Sequence, residues 1–176
     1  MSRGLGDVYK RQDQARAYGR VLPPLLGAHT WRLVSSPLAR CMQTMAILCE
    51  TAGLDFAAVS HDAHLKEVST GSYSGRLKAE FPPGELGGRG RQAWFFRCPG
   101  GESHDHLRAR LTAWLTSLDG DGHVIAVSHG VAGRVLRGLY AGWDPDFALE
   151  QDSPQNALFV LHDGRVDRHE CAVAGP

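Results

Sequence analysis

Two short segments carry residue types that could bind an anion and act on it. Val124-Ile125-Ala126-Val127 is a continuous apolar run ending in Ser128-His129-Gly130. Such a run predicts a buried strand, and the glycine after it predicts a turn into a helix. His129 would then stand at the carboxyl edge of a sheet, where α/β folds gather their ligands. The helix that follows would aim free backbone N–H groups and its positive dipole end at the same place. The second segment is Ser35-Ser36-Pro37-Leu38-Ala39-Arg40, with an Arg in the first turn of another helix. A guanidinium can grip two oxygens of one oxyanion, which an ammonium cannot. Taken singly, His129 could be a strand-end residue satisfied by a backbone carbonyl, and Arg40 an exposed helix residue in a weak ion pair. Together they could neutralise the charge on a group being transferred, with no metal among them.

The elements that must position these residues can be read along the chain. Ala15, Ala17, Tyr18, Val21 and Leu22 predict a helical face from Asp13 to about Leu22, which Pro23-Pro24 should end or kink. Trp31–Ser35 reads as a short strand. Ser36 as N-cap, Pro37 at the first helical position and Gly53 past the end predict a helix over Pro37–Ala52. Phe81–Gly101 is rich in Pro, Gly and Arg and reads as a loop with at most a short helix. Leu107, Leu111, Trp114, Leu115 and Leu118 form the apolar stripe of a helix over Ser103–Leu118. Strand Val124–Val127 and a helix from about Val131 to Tyr140 follow. Asp163-Gly164 between Ala157–Leu161 and Val166–Cys171 is a hairpin signal. Strands alternating with helices indicate a three-layer α/β domain, with a mostly parallel sheet and helices on both faces.

Met1–Gln12 stands apart, with no helix or strand period and no apolar run. It reads as a non-native leader or a tail outside the core, which leaves 13–176 as one domain.

Ser35-Ser36-Pro37-Leu38-Ala39-Arg40-Cys41-Met42-Gln43-Thr44 and Ser128-His129-Gly130 together resemble the histidine phosphatase superfamily, which includes the phosphoglycerate mutases. The resemblance implies a phosphate pocket built by Arg40 and His129, with Ser128 and Gly130 among the substrate contacts. It also implies that Glu67, before Gly71-Ser72-Tyr73-Ser74-Gly75, donates the proton to the leaving oxygen. Ser74 departs from the pattern, since family members often carry Glu there. Pro99-Gly100-Gly101-Glu102-Ser103 matches a further family segment whose role is structural. The family's nucleophile is a His in an Arg-His-Gly motif at the end of a first, central strand, and that motif does not occur in this sequence. His29, in Gly27-Ala28-His29-Thr30, lacks the flanking Arg and Gly and does not inherit the role. The expectation is therefore a phosphatase of small phosphomonoesters working through a phosphohistidine, with its first central strand and nucleophile missing and this chain close to inactive. The alternatives are a non-catalytic phosphate-binding pseudo-phosphatase and, further off, a phosphoglycerate mutase or a metal hydrolase.

Composition limits the rival classes. A 43% apolar and 22% charged chain is ordinary for a globular domain, and its formal net charge of zero argues against non-specific nucleic-acid or membrane binding. No signal-peptide core precedes the domain, which makes a cytoplasmic location the default. Cys41, Cys49, Cys98 and Cys171 are scattered and read as free thiols, with Cys41 and Cys49 as fillers on a helix. The pairs His61/His64, His104/His106 and His162/His169 lack metal-hydrolase spacing. No cofactor is expected, a small phosphorylated substrate is the expected partner, and oligomeric state is left open. Arg89, Arg91 and Arg97 could line a lid over the substrate or be solvated loop charges.

Overall fold

A computed structural model describes residues 5–82, 84–118 and 122–172. Its first helix, α1 (Leu5–Val21), starts earlier than the apolar pattern predicts, inside the stretch that reads as a leader. Met1–Gly4 lie outside the described residues, whereas residues 5–12 are helical, so Asp13 is not an element boundary. Extending a helix by one residue costs little once a turn exists, and the extension needs no apolar stripe of its own. Tyr9 and Lys10 accordingly face solvent, whereas Gln14, Ala15 and Ala17 are buried. Pro23-Pro24 ends this helix and opens the short α2 (Pro23–Leu26).

Strand β1 is Trp31–Ser35, as predicted. Helix α3 (Ala39–Ala52) follows, closed by Gly53 in the left-handed conformation at φ 71°. Its start differs from the prediction. Leu38 occupies the N-cap, and the Ser36 hydroxyl, two residues earlier, accepts from the Leu38 amide at 3.4 Å while lying 2.8 Å from His129 Nε2. A two-residue strand β2 (Ser60–His61), α4 (His104–Thr116, capped by Ser103), β3 (His123–Val127) and α5 (Gly130–Ala141) complete the α/β part. The six-residue α6 (Pro145–Glu150) follows, and then the hairpin of β4 (Ala157–His162) and β5 (Arg165–Glu170). The hairpin turns through Asp163 and Gly164, both at positive φ. Among the described residues between 71 and 97 the regular backbone structure is limited to short 3-10 turns.

Strand order is β2-β1-β3, all parallel, with β4–β5 a separate antiparallel pair. The other edge of β3 is paired with no strand among the described residues. Period-two alternation sends successive side chains of β1 to opposite faces. Val34 joins Leu107, Leu111, Trp114, Ala132 and Val135 under α4 and α5. Leu33 joins Leu22, Met45, Leu48, Cys49 and Ile125 under α1 and α3. The predicted three layers, with helices on both faces of a parallel sheet, are thus present. At Gly19 the backbones of α1 and α3 meet so closely that a Cβ would lie 2.5 Å from Thr51 Cβ. No helix among the described residues is long and apolar enough to cross a membrane.

Candidate active site

The parallel register of β1 and β3 builds the site. Ser35 pairs with Val127, so both strands finish level, and the Ser36 amide donates to the Val127 carbonyl at 2.9 Å. The chain after β1 turns into α3, and Arg40 lies in its first turn. The chain after β3 passes through an extended His129 into α5. Arg40 and His129 are 89 residues apart in sequence, yet Arg40 Nε donates to His129 Nδ1 at 3.0 Å. Because Nδ1 accepts, the imidazole proton belongs on Nε2, which lies 2.8 Å from the Ser36 hydroxyl. Burial, reinforced by the Arg40 cation and by Arg110, lowers the His129 pKa to about 4, with Glu67 opposing. His129 is therefore a neutral imidazole at pH 7, and the exposed Arg40 supplies the positive charge.

Glu67 stands at the start of α5. One carboxylate oxygen accepts from the Val131 amide at 3.2 Å, and the other from Ala132 at 3.0 Å and Val68 at 3.1 Å. The free helix amides expected to face an anion are thus partly taken by a carboxylate from the protein itself. Carboxylates favour this position for the reason external anions do, since orphan N–H groups and the dipole converge there. Ser128 and Gly130 hold the frame in this structure. The Ser128 hydroxyl donates to the Leu65 carbonyl at 2.8 Å, and the Gly130 carbonyl accepts from Ser153 Oγ at 3.0 Å.

Two residues that sequence reasoning did not single out complete the surroundings. Arg110 Nε and Nη2 donate to the two Glu102 carboxylate oxygens at 2.6 and 2.9 Å. The same guanidinium donates to the backbone carbonyls of His64 and Glu67, so it fixes the loop that presents Glu67. Its position two turns along α4 from Glu102 is the only sequence signal for it. The loop is locked again at Gly71 (φ 50°), where a Cβ would lie 2.3 Å from the Pro99 carbonyl oxygen. Cys41, read as a filler, has its Sγ 3.3 Å from His129 Nε2 and donates to the Ser128 carbonyl at 3.2 Å.

The remaining candidates lie apart. His29 stacks on His123 at the amino end of β3, a strand length away from His129. Arg91 pairs with Asp146, and Arg97 donates to the Gly87 carbonyl. With Arg89 they line a cleft beside Ser103, Asp105 and Glu150, which does not include Arg40, His129 or Glu67. His64 pairs with Asp62, and His162 with Asp167. All four cysteines are free and buried. Among the described residues no group of three or more His, Cys, Asp or Glu side chains is gathered as a metal would require.

Comparison with known proteins bears on the fold and the family. A protein of open reading frame Rv3214 from Mycobacterium tuberculosis is 21% identical, with a TM-score of 0.67 over 91% of this chain and 80% of that one. The mycobacterial glucosyl-3-phosphoglycerate phosphatase Rv2419c, solved with inorganic phosphate, is 23% identical, with a TM-score of 0.63 over 92% and 84%. A putative alpha-ribazole-5'-P phosphatase from Escherichia coli str. K-12 substr. MG1655 shares 12% identity at a TM-score of 0.60, over 91% and 80%. At these identities the likeness is one of fold. No curated protein matches the sequence. The model of the histidine phosphatase superfamily (branch 1) matches residues 11–168, spanning both anchor motifs and the loop of Glu67. The chain belongs to the histidine phosphatase superfamily.

Proposed function

We propose that the protein is a phosphatase for small phosphomonoesters, in which Arg40 and His129 hold the phosphoryl group that a histidine nucleophile attacks. The observation that carries this reading is the 3.0 Å contact between Arg40 and His129 at the level ends of β1 and β3. Two groups brought together from so far apart leave a bidentate donor and an imidazole at one point. An oxyanion there would take the Arg40 guanidinium and the Nε2–H of His129, both donors in the neutral-imidazole state. The phosphatases among the proteins of like fold favour the same reaction class.

In this proposal the nucleophile is the His of an Arg-His-Gly motif, which is not among these 176 residues. Covalent catalysis divides the transfer into two easier steps, and without the nucleophile the first is lost. Its strand would lie along the open edge of β3, parallel to it, which brings its end to His129. Glu67 is the proton donor to the leaving oxygen. Its carboxylate now accepts three backbone N–H bonds, so donation requires at least one of them to open.

The test compares this chain with one extended by a homologous strand ending in Arg-His-Gly, using a generic phosphomonoester. Turnover confined to the extended chain, with acid-labile phosphate trapped on protein, supports the proposal. Substantial turnover by the bare chain, lost on His29→Ala, overturns the assignment of the nucleophile. The absence of Arg-His-Gly from the sequence also favours a second reading, a phosphate-binding protein without catalysis. That reading predicts phosphate binding by both chains and turnover by neither.

A further inference from the structure

The cleft between the segment of short 3-10 turns and α6 has no part in the phosphoryl chemistry proposed above. Its volume of about 740 Å³ is in the range of small-molecule sites. Arg91 ties one wall to α6, through its amide at 2.9 Å and its guanidinium at 3.2 and 3.0 Å from the Asp146 carboxylate oxygens. That pair neutralises itself and leaves two cations. The Arg89 side chain makes no hydrogen bond or ion pair among the described residues, and Arg97 uses one N–H on the Gly87 carbonyl at 2.9 Å. The cleft also reaches the first turn of α4. Ser103 Oγ accepts from the His106 amide at 3.2 Å, which leaves the His104 and Asp105 amides as orphan donors at the positive end of the helix. A helix end attracts any anion, and His104 is what distinguishes this one. Its side chain lines the cleft and is only 8% exposed, yet Nδ1 has no hydrogen-bond partner among the described residues, with Asp105 Oδ1 lying 3.5 Å away. A buried ring nitrogen without a partner is costly, and a ligand that meets it removes that cost.

We propose that this cleft binds a small aromatic carboxylate. Its carboxylate is held by Arg89, Arg97 and the first amides of α4, its ring rests on Phe96, and the His104 ring turns slightly to donate to it. Burial holds His104 neutral at pH 7, so its single N–H can settle on whichever nitrogen meets the anion. The acidic residues of the lining decide between anions. Asp105 and Glu150 have no arginine or lysine partner among the described residues, so a dianion such as phosphate meets repulsion to match its attraction. A monoanion meets less of it and gains from an apolar body. Phe96 is half-buried and lies edge-on to His104, with ring centroids 5.3 Å apart, which offers that body an aromatic surface. Binding forms and breaks no covalent bond.

The site uses none of the residues proposed to hold phosphate, so it stands or falls apart from that proposal. Benzoate titrated into the whole chain should shift the His104 imidazole nitrogen resonances and saturate at one molecule per chain. The double variant Arg89→Ala, Arg97→Ala should weaken this binding by about tenfold or more, and both side chains are exposed, so the fold is spared. Asp105→Asn should tighten it by about two- to fivefold, because a like charge leaves the helix end, a gain that misfolding does not imitate. Arg40→Ala should leave it unchanged. Benzoate that leaves His104 unshifted overturns the proposal, and so does binding that survives the double variant or is lost with Arg40. Inorganic phosphate that shifts His104 as strongly as benzoate overturns the ligand class.

Discussion

Two arginine–carboxylate pairs in this molecule have the same chemistry and opposite surroundings. Arg110 grips Glu102 with both side chains largely buried, at 19% and 13% exposure, behind the loop that carries Glu67. Arg91 grips Asp146 through two side-chain bonds, at 53% and 47% exposure, in the segment of short 3-10 turns. The forks look alike, but the dielectric around them does not. In water the attraction is screened and the ordering of two long side chains cancels most of it. Under the helix the pair is costly to assemble, and costlier still to break by removing one partner. Arg110 also ties down two backbone carbonyls near the site, whereas Arg91 ties the segment of short 3-10 turns to α6. The difference teaches that an ion pair matters here according to what is buried with it.

Substitutions can break or sharpen this contrast. Arg110→Ala leaves Glu102 without its cation and two carbonyls without a donor, and is expected to cost about 3–5 kcal/mol in denaturant unfolding. A loss close to zero would place Arg110 in the same class as Arg91. Arg40→Ala should leave unfolding unchanged, because the side chain is exposed, and weaken inorganic phosphate binding by about ten- to a hundredfold in calorimetry.

A third test uses pH. Burial and Arg40 hold the folded His129 pKa at about 4, against 6.5 for a free imidazole. Between these values the unfolded chain takes a proton that the folded chain refuses. Stability should therefore be full above pH 6.5 and fall as pH drops toward 4, by on the order of 1 kcal/mol per pH unit. The difference curve between the parent and His129→Gln isolates this slope, and parallel curves would refute it. The smallest effect belongs to Arg91→Ala, which should move neither the unfolding midpoint nor phosphate affinity. A clear fall in affinity would mean that the cleft of Arg91 is coupled to the site.

The sequence carries some of this architecture openly. Trp31–Ser35, the Gly53 helix stop and the Asp163-Gly164 turn are set by local sterics, and local sterics are written in residue types. Helix α6 was not legible, because six residues opened by Pro145 are too few to show a period. The early start of α1 was hidden for a related reason, since Tyr9 and Lys10 face solvent and leave no apolar trace. At the site, Arg40 and His129 stood out because each ends a recognisable segment. Ser36, Cys41 and Arg110 did not, because their importance depends on the parallel register that levels Ser35 with Val127. Register is a property of paired strands, and no single segment reveals it.

The unpaired edge of β3 has a consequence for how the chain behaves among its own copies. It presents a row of backbone donors and acceptors along His123–Val127, with no strand across from them among the described residues. Soluble proteins blunt such borders with lysines, prolines or bulges, and Val124-Ile125-Ala126-Val127 has no lysine or proline. A β-branched strand with one edge open is a template for intermolecular pairing. The row of peptide groups beside the pocket is thus the place on the described surface where backbone from a second copy would pair most readily.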